Sequence, residues 1–374
     1  MVEYDYLIVG CGLYGAAFAR CAKERGYKVL IIDKRSHIGG TAFDNLCEGI
    51  MVHNYGPHIF HTNDNKVWDF VNRFSEFNNY VNTPLAYCGT DNTLYPLPFN
   101  MYTFNKMWSD VKTPLKAKEK IEEEIKRANI TNPQNLEEEA VSLVGWDIYN
   151  KLIKGYTEKQ WGCDCKDLPT GIITRLPLRF TYNNNYFNDK YQGIPIHGYT
   201  SMVENMIDGI EVKLDTNYLL NKEYFYSITK NVVYTGRLDE LYNYRFGILK
   251  YRGCKWETTL HNTTNFQGTC VINYTTHEVP YTRAIEHKYF TCLREKEVNE
   301  IPITIVSREY PLLESEVKSD NSFYPINNRE NNDIYQQYAE LSKQDKKYIL
   351  GGRLADYKYY NMDQVIKNVL NYWE

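Results

Sequence analysis

The chain has 374 residues, 24% of them charged, and a formal net charge of -4 at pH 7. That length exceeds one ordinary hydrophobic core and predicts two or three domains able to enclose a pocket. The near-neutral balance without a basic run argues against a nucleic-acid surface, and no apolar stretch is long enough to span a membrane. The N-terminus enters a strand with no charged leader and apolar segment ahead of it, which predicts a cytoplasmic protein.

Tyr6 to Val9 is an apolar run suited to a buried parallel strand, and Gly10, Gly12 and Gly15 follow it in G-x-G-x-x-G spacing. Ala16 to Arg25 reads as a helix stopped by Gly26, and Lys28 to Ile32 as a second strand ending at Asp33. This order suits the adenosine diphosphate half of a dinucleotide. Gly10 permits the tight turn, Gly12 leaves room for a pyrophosphate, Gly15 lets helix and strand approach, and Asp33 can accept hydrogen bonds from a ribose. Gly39-Gly40 is either a plain turn or a further close backbone approach of the kind a flavin needs. The second reading makes FAD the expected cofactor.

Val67 to Phe74 reads as a helix, and Tyr80 to Leu97 as strand or hairpin until Pro96 and Pro98 break it. Helical signals dominate from about 102 to 162. Lys116 to Ala128 carries Lys and Glu at i,i+4 spacing, and Asn135 caps Leu136 to Leu143 ahead of Gly145. Residues 163 to 182 mix prolines and a glycine with two arginines, as a mobile loop would. Cys163-x-Cys165 is too closely spaced for a zinc knuckle, and no metal is expected. The nine scattered cysteines, without an export signal, are expected to be reduced thiols. Tyr199 to Ile207 reads as a helix, and Val212 to Leu214 and Val232 to Tyr234 as strands. From 245 to 310 the pattern is β, with strands at Thr269 to Tyr274, Lys288 to Cys292 and Ile303 to Val306. Tyr348 to Leu350 then delivers Gly351-Gly352-Arg353, and Met362 to Tyr372 closes the chain as a helix capped by Asn361.

The expected architecture is α/β: a discontinuous Rossmann-like FAD-binding domain (1–80, 190–240 and 330–374) with an inserted helical domain (100–165) and an antiparallel β-sheet domain (81–99, 180–189 and 241–329). Residues 166–180 form the mobile loop. The 34 tyrosines offer flat apolar faces with hydrogen-bonding tips, suited to a flavin, a sugar and a pyrimidine, or else reflect an Asn- and Lys-rich coding habit.

Further blocks stand at YGPHIFHT (55–62), KGYTEKQWG (154–162), TRLPLRF (174–180), NNYF (184–187), VPYTRAIEHKYF (279–290) and GGRLADYKYYNMD (351–363). With GCGLYG at 10–15 they resemble, in order over nearly the whole chain, the bacterial-type UDP-galactopyranose mutase family. The resemblance implies FAD, a homodimer and an isomerase acting on a nucleotide sugar, UDP-galactose. Reduced FAD N5 would attack the anomeric carbon, exchanging pyranose and furanose rings without net redox. Alternatives are the same chemistry on UDP-N-acetylgalactosamine or a dTDP-6-deoxy sugar, an FAD-dependent oxidoreductase of the amine-oxidase type, and a flavin-holding protein without catalysis.

A diphosphate is best gripped by guanidinium groups, and by resemblance Arg175 and Arg283 form that clamp, Arg175 from the mobile loop. Either arginine alone could equally be a surface ion pair. The resemblance places Tyr156, Trp161, Tyr186 and Phe187 around the nucleotide and sugar, the last two as a uracil platform; unaided, all four would read as packing aromatics. It places Asn82, Arg252, Asn273, Tyr324 and Tyr359 about sugar and phosphates. His58 would lie against the isoalloxazine and His61 near the sugar, both counted with the arginines as catalytic. Cofactor positions implied are Gly10, Gly12, Leu13, Tyr14, Gly15, Asp33, Lys34, Gly39, Gly40, Thr41, His58, Ile59, Gly352, Arg353, Asn361 and Met362. Three residues depart from the family pattern: Asn361 for aspartate, Thr41 for asparagine and Arg237 for proline. Asn caps a helix as well as Asp, so the final helix should survive without the negative charge.

Overall fold

The computed structural model describes residues 2–173, 178–291 and 295–374. They form two compact units, one of Met1–Tyr80, Asp189–Gly253 and Glu314–Glu374, the other of Val81–Asn188 and Cys254–Leu313. The helical insertion and the large sheet both fall in the second unit. Residues 241–253 and 314–329, expected with the sheet, fall in the first, where Tyr251–Arg252 pairs with Tyr324–Pro325 in a separate two-stranded ribbon.

The first unit is built on a five-stranded parallel sheet in the order Tyr348–Leu350, Thr229–Tyr234, Tyr4–Val9, Val29–Ile32 and Glu211–Lys213. Apolar runs without alternation suit strands covered on both faces, and Leu7, Ile8, Leu30, Ile31, Val232 and Val233 are all buried. The helix Leu13–Glu24 packs against Gly198–Ile207 and Met362–Tyr372. It begins directly after Gly12, earlier than its apolar pattern alone indicates. A second cluster is rich in tyrosine, with Tyr4, Tyr218, Tyr234, Tyr251, Tyr338 and Tyr357 packed around Leu7, Leu30 and Val232. Many of the tyrosines are therefore core residues whose hydroxyls find partners, as where Tyr338 donates to the Gly247 carbonyl at 2.7 Å.

The second unit carries a six-stranded sheet in the order Cys254–His261, Thr304–Pro311, Arg283–Glu286, Val271–Tyr274, Leu85–Cys88 and Thr93–Pro96. It is antiparallel except for Val271–Tyr274 beside Leu85–Cys88, which run parallel because the helices of residues 101–161 intervene between them in the chain. Those helices, Met101–Met107, Pro114–Ala128, Leu136–Ile148 and Lys154–Trp161, share one apolar core. Gly145 was expected to stop the third of them. Instead the helix continues to Ile148 around a non-helical Gly145, whose missing Cβ would stand 2.4 Å from the Cβ of Glu124 on the neighbouring helix.

The strand expected at Lys288 to Cys292 is replaced by a helical turn, His287–Thr291, in which Thr291 Oγ1 donates to the Lys288 carbonyl. The buried Lys288 ammonium binds the carbonyls of Thr264, Val298 and Ile301. Three carbonyls satisfy a charge that a pleated strand would leave among apolar neighbours. Cys292 and four residues of the expected mobile loop, 174–177, lie outside the described residues. Around the latter, Cys165–Asp167 and Thr170–Ile172 form short helical turns. The described cysteines are free thiols, and among the described residues no group of three His, Cys, Asp or Glu side chains is placed to hold a metal. No described helix is long and apolar enough to cross a membrane.

Candidate active site

In the first unit the site is made of backbone. Gly10 sits at φ +111° with its N–H on the Ile32 carbonyl, and a Cβ on Gly15 would lie 1.9 Å from the Gly10 oxygen. Gly39 and Gly40 both have positive φ, Gly12 bridges Gly39, and a Cβ on Gly40 would come within 2.9 Å of Gly12 Cα. The second glycine pair thus backs directly onto the first. Two turns at this distance leave a groove floored by main-chain N–H groups at the start of the helix Leu13–Glu24. Asp33, almost wholly buried, accepts from the N–H groups of Cys11 (2.7 Å) and Arg35 (2.9 Å). Each carboxylate oxygen has a second lone pair for a ribose hydroxyl.

This cleft, partly open to solvent, is lined by Gly10, Gly12, Leu13, Tyr14, Asp33, Gly39, Gly40, Thr41, His58, Gly352, Arg353 and Met362, all among the positions named from the sequence. Arg35, Thr235, Ser322, Phe323 and Tyr360 join them unanticipated. Gly15 acts from behind, and Ile59 is buried. Lys34 lines an adjoining hollow with Tyr218, Leu219 and Arg237. Asn361 precedes the helix Met362–Tyr372 as expected, its N–H bonded to Gln364 Oε1 at 2.9 Å, but does not line the cleft.

His58 Nδ1 lies 2.9 Å from the Gly56 carbonyl, which can only accept, so that nitrogen carries the proton and Nε2 is the acceptor. Tyr199 OH and His53 Nδ1 hold its backbone. His61 does not line the cleft. Its Nδ1 is 2.6 Å from Asp189, which Asn63 also binds. Tyr324 and Tyr359 stack at 5.2 Å with Arg353 5.3 and 5.2 Å from their centroids, and Arg252 pairs with Tyr324 across the ribbon. Three separate chain segments, at Arg252, Tyr324 and Arg353 with Tyr359, are brought together here.

In the second unit the site is made of side chains. Asn273 and Arg283 are partners across neighbouring strands, and Arg283 Nε donates to the buried Glu309 at 2.9 Å. A hollow beside them is lined by Phe99, Leu152, Ile153, Tyr156, Tyr186 and Asn273 among others. Asn273 Oδ1 is buried there without a hydrogen-bond partner among the described residues. Burial pushes the Tyr156 phenol up, against the opposing charge of Arg283. Tyr186 and Phe187 meet edge to face at 5.4 Å, and Tyr186 N–H donates to the Asn82 carbonyl. Trp161 packs on the helical core rather than in the hollow. Arg175 lies outside the described residues.

Three supporting residues escaped the sequence reading: Glu309, Asp189, and Arg179, whose guanidinium binds Asn185, Tyr186 and Asn188 and so shapes the aromatic turn. Arg179 stood inside a quoted motif and was the most findable; the other two depend on strand register and chain return.

Comparison with known proteins bears on this geometry. A family model described as UDP-galactopyranose mutase matches residues 151–359, and one described as NAD(P)-binding Rossmann-like domain matches 8–74. The chain is 38% identical to a probable UDP-galactopyranose mutase of Klebsiella pneumoniae, over 99% of this chain and 94% of that protein. The chain belongs to the UDP-galactopyranose mutase family. It is also 36% identical to a dTDP-fucopyranose mutase of Escherichia coli, over 97% and 96% of the two proteins. A crystal structure of reduced UDP-galactopyranose mutase superposes with a TM-score of 0.71 over 99% of this chain and 95% of that one; at 13% identity it supports the fold.

As a member of this mutase family the protein is an isomerase with FAD as cofactor. The glycine groove fits that group, since it opens on a helix N-terminus whose N–H groups suit a diphosphate, at turns where a Cβ on Gly10, Gly15 or Gly40 would clash. Of the departures from the family pattern, Arg237 is accommodated best. Its guanidinium is buried, paired with Asp239 at 2.6 Å and bonded to Ser322 Oγ and the Leu249 carbonyl. Nothing in the structure explains Thr41.

Proposed function

We propose that the substrate is a nucleoside diphosphate sugar whose pyranose and furanose rings the protein interconverts, UDP-galactose in the first place. The observation that carries this is Arg283, bound to Glu309 and paired across the strands with Asn273, which lines the aromatic hollow and whose buried Oδ1 has no hydrogen-bond partner among the described residues. Arg283, together with Arg175, would neutralise the diphosphate as it leaves the anomeric carbon and hold it for return. Asn273 would accept from a sugar or ribose hydroxyl, and Tyr156, Tyr186 and Phe187 would cover the base and exclude water. In the first unit Tyr324, Tyr359 and Arg252 would meet sugar hydroxyls and phosphate, and Asn82 would do so in the second. His58, its tautomer set by Gly56, would keep an acceptor on the cofactor. His61, tied to Asp189, would act near the sugar. When bound, reduced FAD supplies an electron-rich nitrogen nucleophile and is regenerated without net redox.

The 36% identity to a dTDP-fucopyranose mutase favours a second reading in which the base is thymine and the sugar 6-deoxy. We further propose a cytoplasmic homodimer. The test is to incubate reduced holoenzyme with UDP-galactose, UDP-N-acetylgalactosamine and dTDP-fucose and to separate pyranose from furanose products. Conversion of one sugar without consumption of reductant is expected. Stoichiometric oxidation of a donor with no furanose formed would overturn the proposal in favour of an oxidoreductase.

A further inference from the structure

Lys151, Gly155, Glu158 and Lys159 share one face of the helical segment 149–161, and every one of them meets the connection between the strands Val271–Tyr274 and Arg283–Glu286. Thr275 Oγ1 donates to the Lys151 carbonyl at 2.6 Å. A Cβ on Gly155 would lie 2.5 Å from the Thr275 oxygen, so helix and connection touch at backbone distance. Glu158 pairs with His277 at 2.8 Å. Lys159 is the most committed. Its Nζ donates to the carbonyls of Tyr274 (2.8 Å), Val279 (3.3 Å) and Tyr281 (2.9 Å), which uses all three of its hydrogens.

Those three carbonyls belong to the entrance, the middle and the exit of the connection. Asn273 lies one residue before the entrance and Arg283 two residues after the exit, and the two are directly paired across the strands. One cation therefore gathers both ends of a turn that carries Asn273, which lines the hollow, and Arg283, paired with it across the strands. An ordinary surface lysine would seek a carboxylate and water. Here the bonding partners are carbonyls, and Glu278, whose carboxylate binds Thr276 Oγ1, acts on the ammonium only through its charge.

We propose that Lys159 is a positioning residue: by closing the 274–281 connection onto the helix Lys154–Trp161, it holds Asn273 and Arg283 at the separation that grips the diphosphate of the nucleotide sugar. This rests on assigning Arg283 to that diphosphate, so the experiment carries Arg283→Ala as its reference. UDP affinity would be measured for the FAD-loaded wild type, Lys159→Met, Lys159→Arg, Arg283→Ala and the Lys159→Met/Arg283→Ala double variant, with amide exchange followed over residues 274–282.

Lys159→Met should weaken UDP by roughly tenfold or more, since misplacement of a binding group by about 1 Å costs on that order or above. Its amides at 274–282 should exchange faster while bound FAD per protein is unchanged. Lys159→Arg should recover part of the affinity. In the double variant the methionine should add little to the arginine loss, because both remove one interaction. Wild-type UDP affinity in Lys159→Met, or full additivity in the double variant, overturns the proposal. If Arg283→Ala itself binds UDP normally, the diphosphate assignment falls, and faster exchange in Lys159→Met would then mark a purely structural tie, which also overturns it. Should the methionine variant not be recovered folded, Lys159→Gln, which keeps two donors, is read by the same criteria.

Discussion

In the proposed roles, the cleft of the first unit and the hollow of the second would hold an anion in opposite ways. In the first, the donors would be main-chain N–H groups, and the essential residues are those without side chains: a Cβ on Gly15 or Gly40 would strike backbone. In the second, the donor is the Arg283 guanidinium, held by Glu309 from the adjacent strand, with an aromatic turn braced by Arg179. A backbone site is rigid because the fold is rigid, and it fails when the fold is disturbed. A side-chain site is rigid only through a second layer of residues, and it can fail while the fold stands.

The sharpest way to break this contrast is Gly15→Ala. The new methyl would meet the Gly10 carbonyl at 1.9 Å, and the clash is with backbone, at the turn between the strand Tyr4–Val9 and the helix Leu13–Glu24. A stability loss of roughly 3 kcal/mol, with protein recovered free of FAD, is expected from thermal unfolding and flavin absorbance. A stable, yellow variant would show that the groove is not set by this packing.

Next in size is Arg283→Ala, which should remove most turnover and leave FAD content unchanged, with a lowered unfolding midpoint because the buried Glu309 carboxylate loses its cation. One lost charge-assisted contact costs about 1.5 to 3 kcal/mol. Glu309→Gln should show a smaller loss expressed mainly in kcat, because the guanidinium remains but is less firmly aimed. Equal effects on stability and turnover in both variants would place the pair in the fold rather than the site.

Asn273→Ala separates stability from function more finely. Among the described residues its buried Oδ1 has no hydrogen-bond partner, so deletion removes an unsatisfied acceptor and should leave the unfolding midpoint unchanged or slightly raised. UDP-sugar affinity should fall by about 1 kcal/mol, read as a KM increase. A large stability loss with unchanged KM would refute its assignment to the ligand.

The smallest effect expected is a pH slope. Burial pushes the Lys159 amine down to about 8 from an ordinary value near 10.5, with Glu278 opposing. The folded protein then binds fewer protons than the unfolded chain between those values, so this residue adds stability as pH rises from about 8 towards 10.5. The difference in unfolding midpoint between wild type and Lys159→Met should therefore grow in favour of wild type over that range. A flat difference would mean that the three carbonyls hold the ammonium charged throughout.

Much of the first unit was legible because its constraints are local. A turn that needs positive φ or close approach needs glycine at fixed offsets, and Gly10, Gly12, Gly15, Gly39, Gly40 and Gly352 line or support the cleft. The helix Met362–Tyr372 and its Asn361 start were equally local. The expected strand at Lys288 to Cys292 misled because alternation cannot show that a lysine finds three carbonyls from other segments. The surroundings of His61 were not legible either: only the return of the chain at Asp189 shows that its Nδ1 meets a carboxylate and that it does not line the cleft with His58.

The amino-acid order by itself determined the parallel nucleotide fold, the glycine groove and the family, and it supplied most of the residues proposed for the chemistry. It did so because periodicity, turn stereochemistry and motif spacing act over a few residues at a time. Only the tertiary structure decided which side chains support them: Glu309 beneath Arg283, Arg179 behind Tyr186, Lys159 across the 274–281 connection and Arg237 against Asp239 and Ser322. Most of these contacts depend on strand register or on packing between segments remote in sequence, and a hydrogen bond reaching across about 3 Å leaves no trace in the linear pattern of either partner.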